Sequence, residues 1–315
     1  MKKPNPKVSI VLPVYNAEKF LDECMNSILN QSFTDFEFII INDESKDKSF
    51  EILKKYAKKD KRIILLNNKK NMGCVNTRNR GLKMAKGEYV AVMDPDDVCL
   101  KDRFKIEVAY LDKHPEIFLI GGSAIIIDEE GNKIGIIRKY DNYKKIGKKL
   151  RELDCILHTS VMHRNTQEFF YREKFIISDD YDFLLRVLSA NKKLTNIPEF
   201  LIKYRINKGS ATNTKKNPEF FFRKAKEFYF QRIKTGKDDY DKFDVDKVAP
   251  KMIDFNKSYS MTRIVVKFQD NQMRNVRKEV KAYIKSYGFN KQLAVYYLLS
   301  FFPIKMIRFF SKNYN

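Results

Sequence analysis

The first half of the chain alternates short apolar runs with segments of helical periodicity. The runs cover residues 8–12, 36–41, 63–66 and 89–93. Runs without polar alternation are typical of strands that are covered on both faces, as in parallel sheets. The pattern therefore predicts an α/β fold with a doubly wound sheet, and such sheets bind ligands at the carboxyl ends of their strands.

The segments between these runs have the spacing of amphipathic helices. An apolar face over 20–28 follows Asn16, which is the predicted N-cap. A helix is also predicted over 74–86, with Gly87 as the residue that ends it. Later in the chain, the pattern predicts a strand over 117–128, a helix over 180–188 and a strand over 200–204.

Beyond about residue 215 the pattern changes to basic segments that are rich in Phe and Tyr. The net charge is +22, and residues 201–315 contain 26 Lys and Arg against 10 Asp and Glu. The uncharged run 293–302 is shorter than the about 20 residues that a membrane-spanning helix needs, so a place in the membrane interface fits it better. The alternative is that the aromatic stripes pack as core and that the charge reflects a lysine-rich composition.

Polar groups follow the predicted strands at the point where each strand ends. Tyr15 follows the first strand, Asp43 follows the second, and Arg78 lies in the helix after the third. The carboxyl ends of parallel strands share one edge of a sheet, so these groups are expected to converge. A ring can stack on a base, a carboxylate can accept from a base N–H, and an arginine can bind phosphate. The edge is therefore a predicted nucleotide site.

The fourth strand runs directly into Asp94, Pro95, Asp96 and Asp97. On an extended backbone, Asp94 and Asp96 point to the same side and suit a hard cation such as Mg²⁺ or Mn²⁺. The Asp-x-Asp triplet occurs four times in the chain, so the triplet alone decides nothing. A solvated turn that ends a buried strand is the alternative, and the neighbouring strand ends favour the metal.

The chain resembles the family-2 glycosyltransferases of the GT-A fold over roughly residues 7–207. The resemblance is carried by VSIVLPVYNAEKFLDECMNSILNQSFTDFEFIIINDESKDKS and NMGCVNTRNRGLKMAKGEYVAVMDPDD. It implies a GT-A architecture, a Rossmann-like nucleotide-binding mixed sheet flanked by helices, here with a C-terminal helical extension. It also implies a nucleotide-diphospho-sugar donor, usually UDP-linked, and inversion at the anomeric carbon.

The resemblance assigns roles to the residues at the sheet edge. It implies that the base pocket is lined by Pro13 and Tyr15 and that Asp43 binds the base. Arg78 matches an arginine near the nucleotide. The family usually has glycine after the base-binding Asp, whereas this chain has Glu44. The remaining implied contacts are Asp94 with ribose or metal, and Asp96 with a Mn²⁺ or Mg²⁺ ion beside the β-phosphate.

An inverting transfer needs a base that takes the proton of the acceptor hydroxyl. The segment ISDDYDFLLRVLSA resembles the family's acidic pair at a helix start, which makes Asp180 the implied base and Asp179 its neighbour. A helix dipole favours the ionised form of such a carboxylate. The alternative is that one of the two residues simply caps the helix.

Two further segments resemble family elements on the acceptor side. CILHTSVMHR contains His158, a candidate contact to donor sugar or acceptor, whereas His163 is expected to be structural. YRINKGSAT contains Arg205 and Lys208, which are candidate clamps on the diphosphate or else part of the basic background.

The sequence predicts a catalytic domain over 1–215, with a nucleotide-binding part over about 1–97 and an acceptor part over about 98–215. Residues 216–315 form a predicted basic, aromatic helical region, a candidate for contact with an anionic membrane. The four cysteines lie far apart, which favours reduced thiols and a cytoplasmic protein, free or peripheral on the inner face of the plasma membrane.

The predicted enzyme builds cell-surface polysaccharide by moving sugar to a hydroxyl of a glycan or lipid-linked acceptor. Two alternatives remain: a nucleotidyltransferase, although the loop after the first strand lacks glycine, and a nucleic-acid-binding protein. No nucleic-acid-binding motif accompanies the charge, so nucleic acid is not an expected partner.

Overall fold

The computed structural model describes residues 5–139, 142–207, 217–247 and 255–302. Within these residues the strands form one nine-stranded mixed sheet. The strands are β1 (Val8–Val14), β2 (Phe36–Asn42), β3 (Ile63–Asn67), β4 (Tyr89–Val92), β5 (Val98–Cys99), β6 (Ile117–Ile127), β7 (Lys133–Ile137), β8 (Met162–Arg164) and β9 (Lys193–Arg205).

Helices flank this sheet and continue beyond it in the described part of the chain. They are α1 (Glu18–Leu29), α2 (Ser49–Lys59), α3 (Cys74–Met84), α4 (Arg103–Lys113), α5 (Tyr143–Leu150), α6 (Asp179–Ser189), α7 (Pro218–Thr235), α8 (Phe255–Gln269), α9 (Met273–Tyr287) and α10 (Lys291–Leu299). The prediction of a mixed sheet flanked by helices is confirmed.

The strand order is β3-β2-β1-β4-β8-β6-β9-β5. β7 pairs with residues 124–127 of β6, beyond the part of β6 that pairs with β8. β1 pairs in parallel with β2 and β4, and β2 pairs in parallel with β3. β8 runs antiparallel to both β4 and β6, which makes the sheet mixed. The chain reverses its direction of travel across the sheet between β1 and β4, and α/β sheets bind ligands at such a switch point.

The continuous apolar runs of β1 and β2 are explained by two hydrophobic clusters, one on each face of the sheet. Ile10 and Leu12 pack in one cluster with Leu21 and Phe104, whereas Val11 packs in the other. Successive side chains of a strand point to opposite faces, so a strand that is covered on both faces needs apolar residues throughout.

Two predicted helix boundaries are wrong. Asn16 is not the N-cap of α1, which is Ala17; the Asn16 side-chain oxygen instead accepts the N–H of Lys46, at 2.7 Å. Gly87 does not end α3, whose C-cap is Ala85. A Cβ at Gly87 would lie 2.5 Å from the backbone nitrogen of Ser9, so the residue permits a close approach to β1.

The predicted C-terminal region divides into two parts with different surroundings. α7 packs on α6, and its Phe221 and Phe228 are buried in the same cluster as Phe175. Its aromatic stripe is therefore part of the core of the main body.

Helices α8, α9 and α10 form a separate three-helix unit over residues 255–302, which we call the helical unit. Its small core contains Ile264, Val276, Val280, Tyr283 and Leu293. The unit contacts the sheet through α8, which lies so close to β7 that a Cβ at Gly135 would be 2.7 Å from the Val266 carbonyl carbon.

In the described ranges, no helix combines the length and apolar character that a membrane crossing requires. The four cysteines, all within those ranges, are free thiols; Cys74 is exposed and the other three are buried.

Candidate functional site

The candidate site lies at the carboxyl ends of β1, β2 and β4, where β1 and β4 separate. Their ladder ends at the pair Val11–Val92, two residues before Pro13, which has no N–H to donate. Pro13 itself is buried in β1. Tyr15 follows it and is 48% exposed, as an aromatic ring that receives a base would have to be. The two strand ends thus open a crevice with an aromatic side chain at its rim.

Asp43 organises the loop after β3. It is buried, and its carboxylate accepts hydrogen bonds from the side-chain amide of Asn68 at 2.7 Å and from the N–H groups of Met72 and Gly73 at 2.8 and 2.9 Å. Asn68 also donates to Thr77 in α3, at 2.9 Å. The predicted base-binding carboxylate is therefore held in place from several sides.

Glu44 occupies the position where the resemblance led us to expect glycine, and its φ is +61°. Glycine adopts this left-handed conformation without steric cost, whereas for any other residue the conformation is less stable by about 1 kcal/mol. The Glu44 carboxylate compensates by contacts that glycine lacks: it accepts the N–H of Asn71 at 2.9 Å and pairs with Lys46 at 2.7 Å. The loop thus has a backbone conformation that suits glycine, and the Glu44 side chain holds it.

Arg78 connects the two acidic segments of the site. It is almost fully buried, and its Nη1 lies 2.6 Å from Asp179 while its Nη2 lies 3.4 Å from Asp94. Asp94 comes from the end of β4 and Asp179 from the start of α6. A buried guanidinium between two carboxylates fixes both of them, because leaving either charge unpaired in this surrounding is costly.

The ring of Tyr171 packs against the Arg78 guanidinium. This residue was not predicted from the sequence as part of the site. The Arg78 guanidinium lies 4.8 Å from the centre of its ring, and its hydroxyl is 2.7 Å from Nε2 of His158. The Asn79 side chain binds the Tyr171 backbone N–H and C=O, at 2.8 and 2.7 Å. Burial and the Arg78 charge lower the pKa of His158, so this imidazole is neutral. Tyr171 lies in no motif. The only indication of it in the sequence was Asn79, a polar residue next to Arg78 whose side chain binds the Tyr171 backbone.

Asp96 and Asp97 follow Asp94 and have different surroundings. Oδ2 of Asp96 accepts a hydrogen bond from the Asn207 side chain at 2.6 Å, and burial together with the Asp94 charge raises the pKa of Asp96 to about 6. Asp97 is buried and accepts the N–H of Arg205 at 2.7 Å. Asp97 thus has a structural contact, whereas Asp94 and Asp96 remain partly exposed.

Arg205 is not placed to clamp a diphosphate in this structure. Its guanidinium is buried, donates to the backbone oxygens of Asp96, Asp128 and Glu129 at 2.8, 3.0 and 3.2 Å, and pairs with Glu23. Its donors are used to join the β6–β7 turn to the loop after β4. The other candidate clamp, Lys208, lies outside the described residues.

Asp180 lies in the first turn of α6, next to Asp179. Its Oδ1 accepts the N–H of Tyr181 at 2.8 Å. Burial, and then the negative charges of Asp154 and Asp179, raise the pKa of Asp180 well above the usual value. The helix dipole was expected to favour the ionised form of this carboxylate, but burial and the neighbouring carboxylates outweigh the dipole. A raised pKa makes a carboxylate a stronger base once it is ionised.

Asp154 is a second residue that the sequence argument missed. It precedes His158 by four positions, and its carboxylate accepts the N–H of Ile156 at 3.3 Å. Burial raises its pKa to about 6. It adds a further negative charge near Asp180, and nothing in its local sequence distinguishes it from a surface acid.

The structure therefore brings Arg78, Asp94 and Asp179 into direct contact, with His158 attached through Tyr171. His163 is buried beside Phe118, and its pKa is lowered to about 4 by burial, as befits a structural residue. Among the described residues, no cluster of three or more His, Cys, Asp or Glu side chains is arranged to hold a metal ion. Any ion at Asp94 and Asp96 would need ligands from a bound substrate or water as well.

Comparison with known proteins identifies relatives of this chain. Residues 9–174 match the family described as Glycosyl transferase family 2. An uncharacterized glycosyltransferase of Methanocaldococcus jannaschii is 39% identical over 207 residues, which are 64% of this chain and 71% of the relative. The minor teichoic acid biosynthesis protein GgaB of Bacillus subtilis is 28% identical over 229 residues, 70% of this chain but 25% of GgaB.

The fold is also similar to that of a solved structure. TarS 1–349 of S. aureus, in complex with UDP-GlcNAc, superposes with a TM-score of 0.55 at 17% identity, over 92% of this chain and 83% of TarS 1–349. At this identity the likeness shows the fold alone.

Proposed function

The chain belongs to glycosyl transferase family 2 and is a glycosyltransferase; from that premise, we propose that it moves a sugar from a UDP-sugar to a hydroxyl of a glycan or lipid-linked acceptor, with inversion at the anomeric carbon. The observation that carries the proposal is the cluster of Arg78, Asp94 and Asp179 at the switch point of the sheet. The family match favours this enzyme over a nucleotidyltransferase or a nucleic-acid-binding protein.

The nucleotide binds in the crevice between the ends of β1 and β4. The exposed ring of Tyr15 stacks on the base, Pro13 lines the pocket, and the buried Asp43 carboxylate accepts from a base N–H. The loop 71–73 is held by Asp43 and Glu44, so hydrogen bonds within the protein fix this side of the proposed base pocket. The complex of TarS with UDP-GlcNAc supports a UDP-linked donor.

The carboxylates after β4 fit a Mn²⁺ or Mg²⁺ ion, because oxygen donors are the ligands that these hard cations prefer. Asp96 would hold the ion together with Asp94. Burial and the negative charge of Asp94 raise the pKa of Asp96, and a cation would neutralise that charge. A bound ion would offset the negative charge that develops on the diphosphate leaving group. Asn207 and Arg78 orient the two carboxylates for this task.

Asp180 is the general base of the transfer. Its Oδ2 takes the proton of the acceptor hydroxyl while the hydroxyl oxygen forms a bond to the anomeric carbon. The bond between that carbon and the β-phosphate oxygen breaks on the opposite face, and the nucleoside diphosphate leaves with the electron pair. The bond from the Tyr181 N–H to Oδ1 fixes the orientation of the carboxylate. His158 and Asp179 line the side from which the sugar or acceptor approaches.

The acceptor class is inferred from relatives. GgaB is described as a teichoic acid biosynthesis protein, which supports a role in cell-surface polysaccharide synthesis. The catalytic residues in this proposal lie within the matched segment or within six residues of its end at 174.

A donor hydrolysis screen tests the proposal. The full chain is incubated with UDP-, GDP- and dTDP-sugars and Mn²⁺, and the release of nucleoside diphosphate is measured. We expect slow release from a UDP-sugar, lost on addition of EDTA and restored by Mn²⁺. No release from any sugar nucleotide, together with no UDP binding, would overturn the proposal.

A further inference from the structure

The outer face of α10 is apolar although it faces solvent. Leu293 points inward and is buried in the core of the helical unit, whereas Val295 and Leu298 are 54% and 62% exposed. Lys291, Val295 and Leu298 are spaced by four and three residues, so they share one face of the helix. An apolar helix face that is exposed to solvent is typical of an interaction site.

Aromatic and aliphatic residues next to α10 extend this surface. Phe289 before the helix is 72% exposed and Phe301 after it is 60% exposed, and Phe302 and Ile284 are exposed as well. Arg277 of α9 binds the backbone oxygen of Ser300 and stacks over Phe301 at 4.8 Å, which joins the end of α10 to the start of α9. We call the exposed residues Ile284, Phe289, Val295, Leu298, Phe301 and Phe302 the apolar ridge.

The charge around the apolar ridge is strongly positive. Residues 255–302 contain nine Lys and Arg but only two acids, Asp270 and Glu279. Both acids are paired: Asp270 with Lys133, and Glu279 with Arg263 and Lys267. Lys281 and Lys285, three positions before and one position after Ile284 in α9, are exposed, and so is Lys291, which shares a face of α10 with Val295 and Leu298.

We propose that the apolar ridge of the helical unit inserts into the interface of an anionic lipid bilayer, with the flanking lysines on the headgroups. Apolar insertion and electrostatic attraction to anionic lipid combine in helices that lie in the interface plane, and each basic residue near the surface contributes separately. A second copy of the chain would bring the same positive charge to the ridge, and the charge therefore favours lipid as the occupant.

The helical unit is attached near the catalytic edge of the sheet. Lys133 and Ile134, at the start of β7, contact Asp270 and Gln272 between α8 and α9. The turn before β7 provides Asp128 and Glu129, whose carbonyls bind Arg205, and Arg205 binds the Asp96 carbonyl. The helical unit is therefore joined to the loop that carries Asp96 through the β6–β7 turn and Arg205. A bilayer contact of this unit would hold the site at the membrane that carries a lipid-linked acceptor, and this part of the inference rests on the proposed function.

Vesicle co-sedimentation of the full chain tests the inference. We expect binding to vesicles of phosphatidylglycerol and phosphatidylcholine, at least tenfold weaker binding to pure phosphatidylcholine, and loss of most binding in 0.5 M salt. In the variant V295D/L298D, binding to the anionic vesicles should fall at least tenfold. The matched control F230D/I233D changes two residues of α7 that are also more than half exposed, and it should bind like the wild type.

Equal binding by V295D/L298D and wild type, or equal loss in the control, would overturn the inference. Light scattering that shows a dimer disrupted by V295D/L298D, without any vesicle binding by the wild type, would assign the ridge to a second copy instead. Release of nucleoside diphosphate from soluble donor is measured in parallel and should be unchanged in both variants. A wild type that binds vesicles but releases nothing would contradict the proposed function and leave the membrane contact standing.

Discussion

The acidic edge of the sheet and the basic helical unit are opposite in almost every physical respect. At the sheet edge, Asp94 and Asp179 pair with the buried Arg78, and burial raises the pKa values of Asp96 and Asp180. In the helical unit, cations dominate, most of them are exposed, and apolar side chains face solvent. The helical unit contributes +7 to the net charge of +22, and this net charge says nothing of the chemistry at the sheet edge.

The difference also separates two kinds of aromatic stripe. In α7 the stripe is buried against α6 and stabilises the main body, whereas around α10 it is exposed. Both segments are basic and aromatic in sequence. The two segments differ in what packs against them. α7 packs against an aromatic cluster that includes Phe175, whereas no described element covers the outer face of α10.

The largest expected effect comes from the acidic edge. Asp180→Asn should lower the rate of transfer by about 10²–10⁴, because the acceptor proton then has no base, and should leave UDP affinity unchanged. Kinetics with a saturating acceptor and calorimetric UDP binding measure the two. The control is Asp239→Asn, an exposed acid from another Asp-x-Asp triplet, which should retain full activity. A variant at Asp180 that loses UDP binding together with its fold would instead indicate a structural cap.

A smaller effect is expected on the pH profile of the rate. Because the pKa of Asp180 is raised, the base is protonated over a wider acidic range, and the rate should fall about tenfold per pH unit below that pKa. Asp154→Asn removes a negative charge that raises this pKa, so the acidic limb should move to lower pH. An unmoved limb would show that Asp154 does not influence the base.

The smallest effect is expected at Glu44. Glu44→Gly relieves about 1 kcal/mol of backbone strain but removes the contact with the N–H of Asn71, so the free energy of unfolding should change by less than about 1 kcal/mol. The KM for the donor should rise several-fold with kcat unchanged, because the loop 71–73 is less well held. Chemical denaturation and donor kinetics measure both quantities, and an unchanged KM would show that the contact is dispensable.

Much of the fold could be predicted, because buried parallel strands have apolar runs that leave few alternatives. The strand over 200–204 was predicted too short: β9 begins at Lys193 and passes Pro198 through a register shift opposite Gly121 and Ser123, since proline cannot donate to the ladder. The short strands β5, β7 and β8 are fixed by their partners and have no pattern of their own.

The site could be predicted where it follows strand ends and not elsewhere. Arg78 and Asp94 belong to ordered motifs, and the structure places them 3.4 Å apart. Tyr171 and Asp154 come from irregular segments whose place depends on tertiary packing, so no local spacing could reveal them. Arg205 looked available in sequence, and only the structure shows its donors in use.

Calorimetric titration of UDP into the wild type and Asp96→Asn, each with and without Mn²⁺, tests most directly whether the acidic edge is a metal-assisted nucleotide site. We predict that Mn²⁺ raises UDP affinity at least tenfold in the wild type, that Asp96→Asn removes this gain, and that metal-free affinity is similar in both proteins. The same gain in Asp96→Asn, or no UDP binding by the wild type under any condition, would contradict the account.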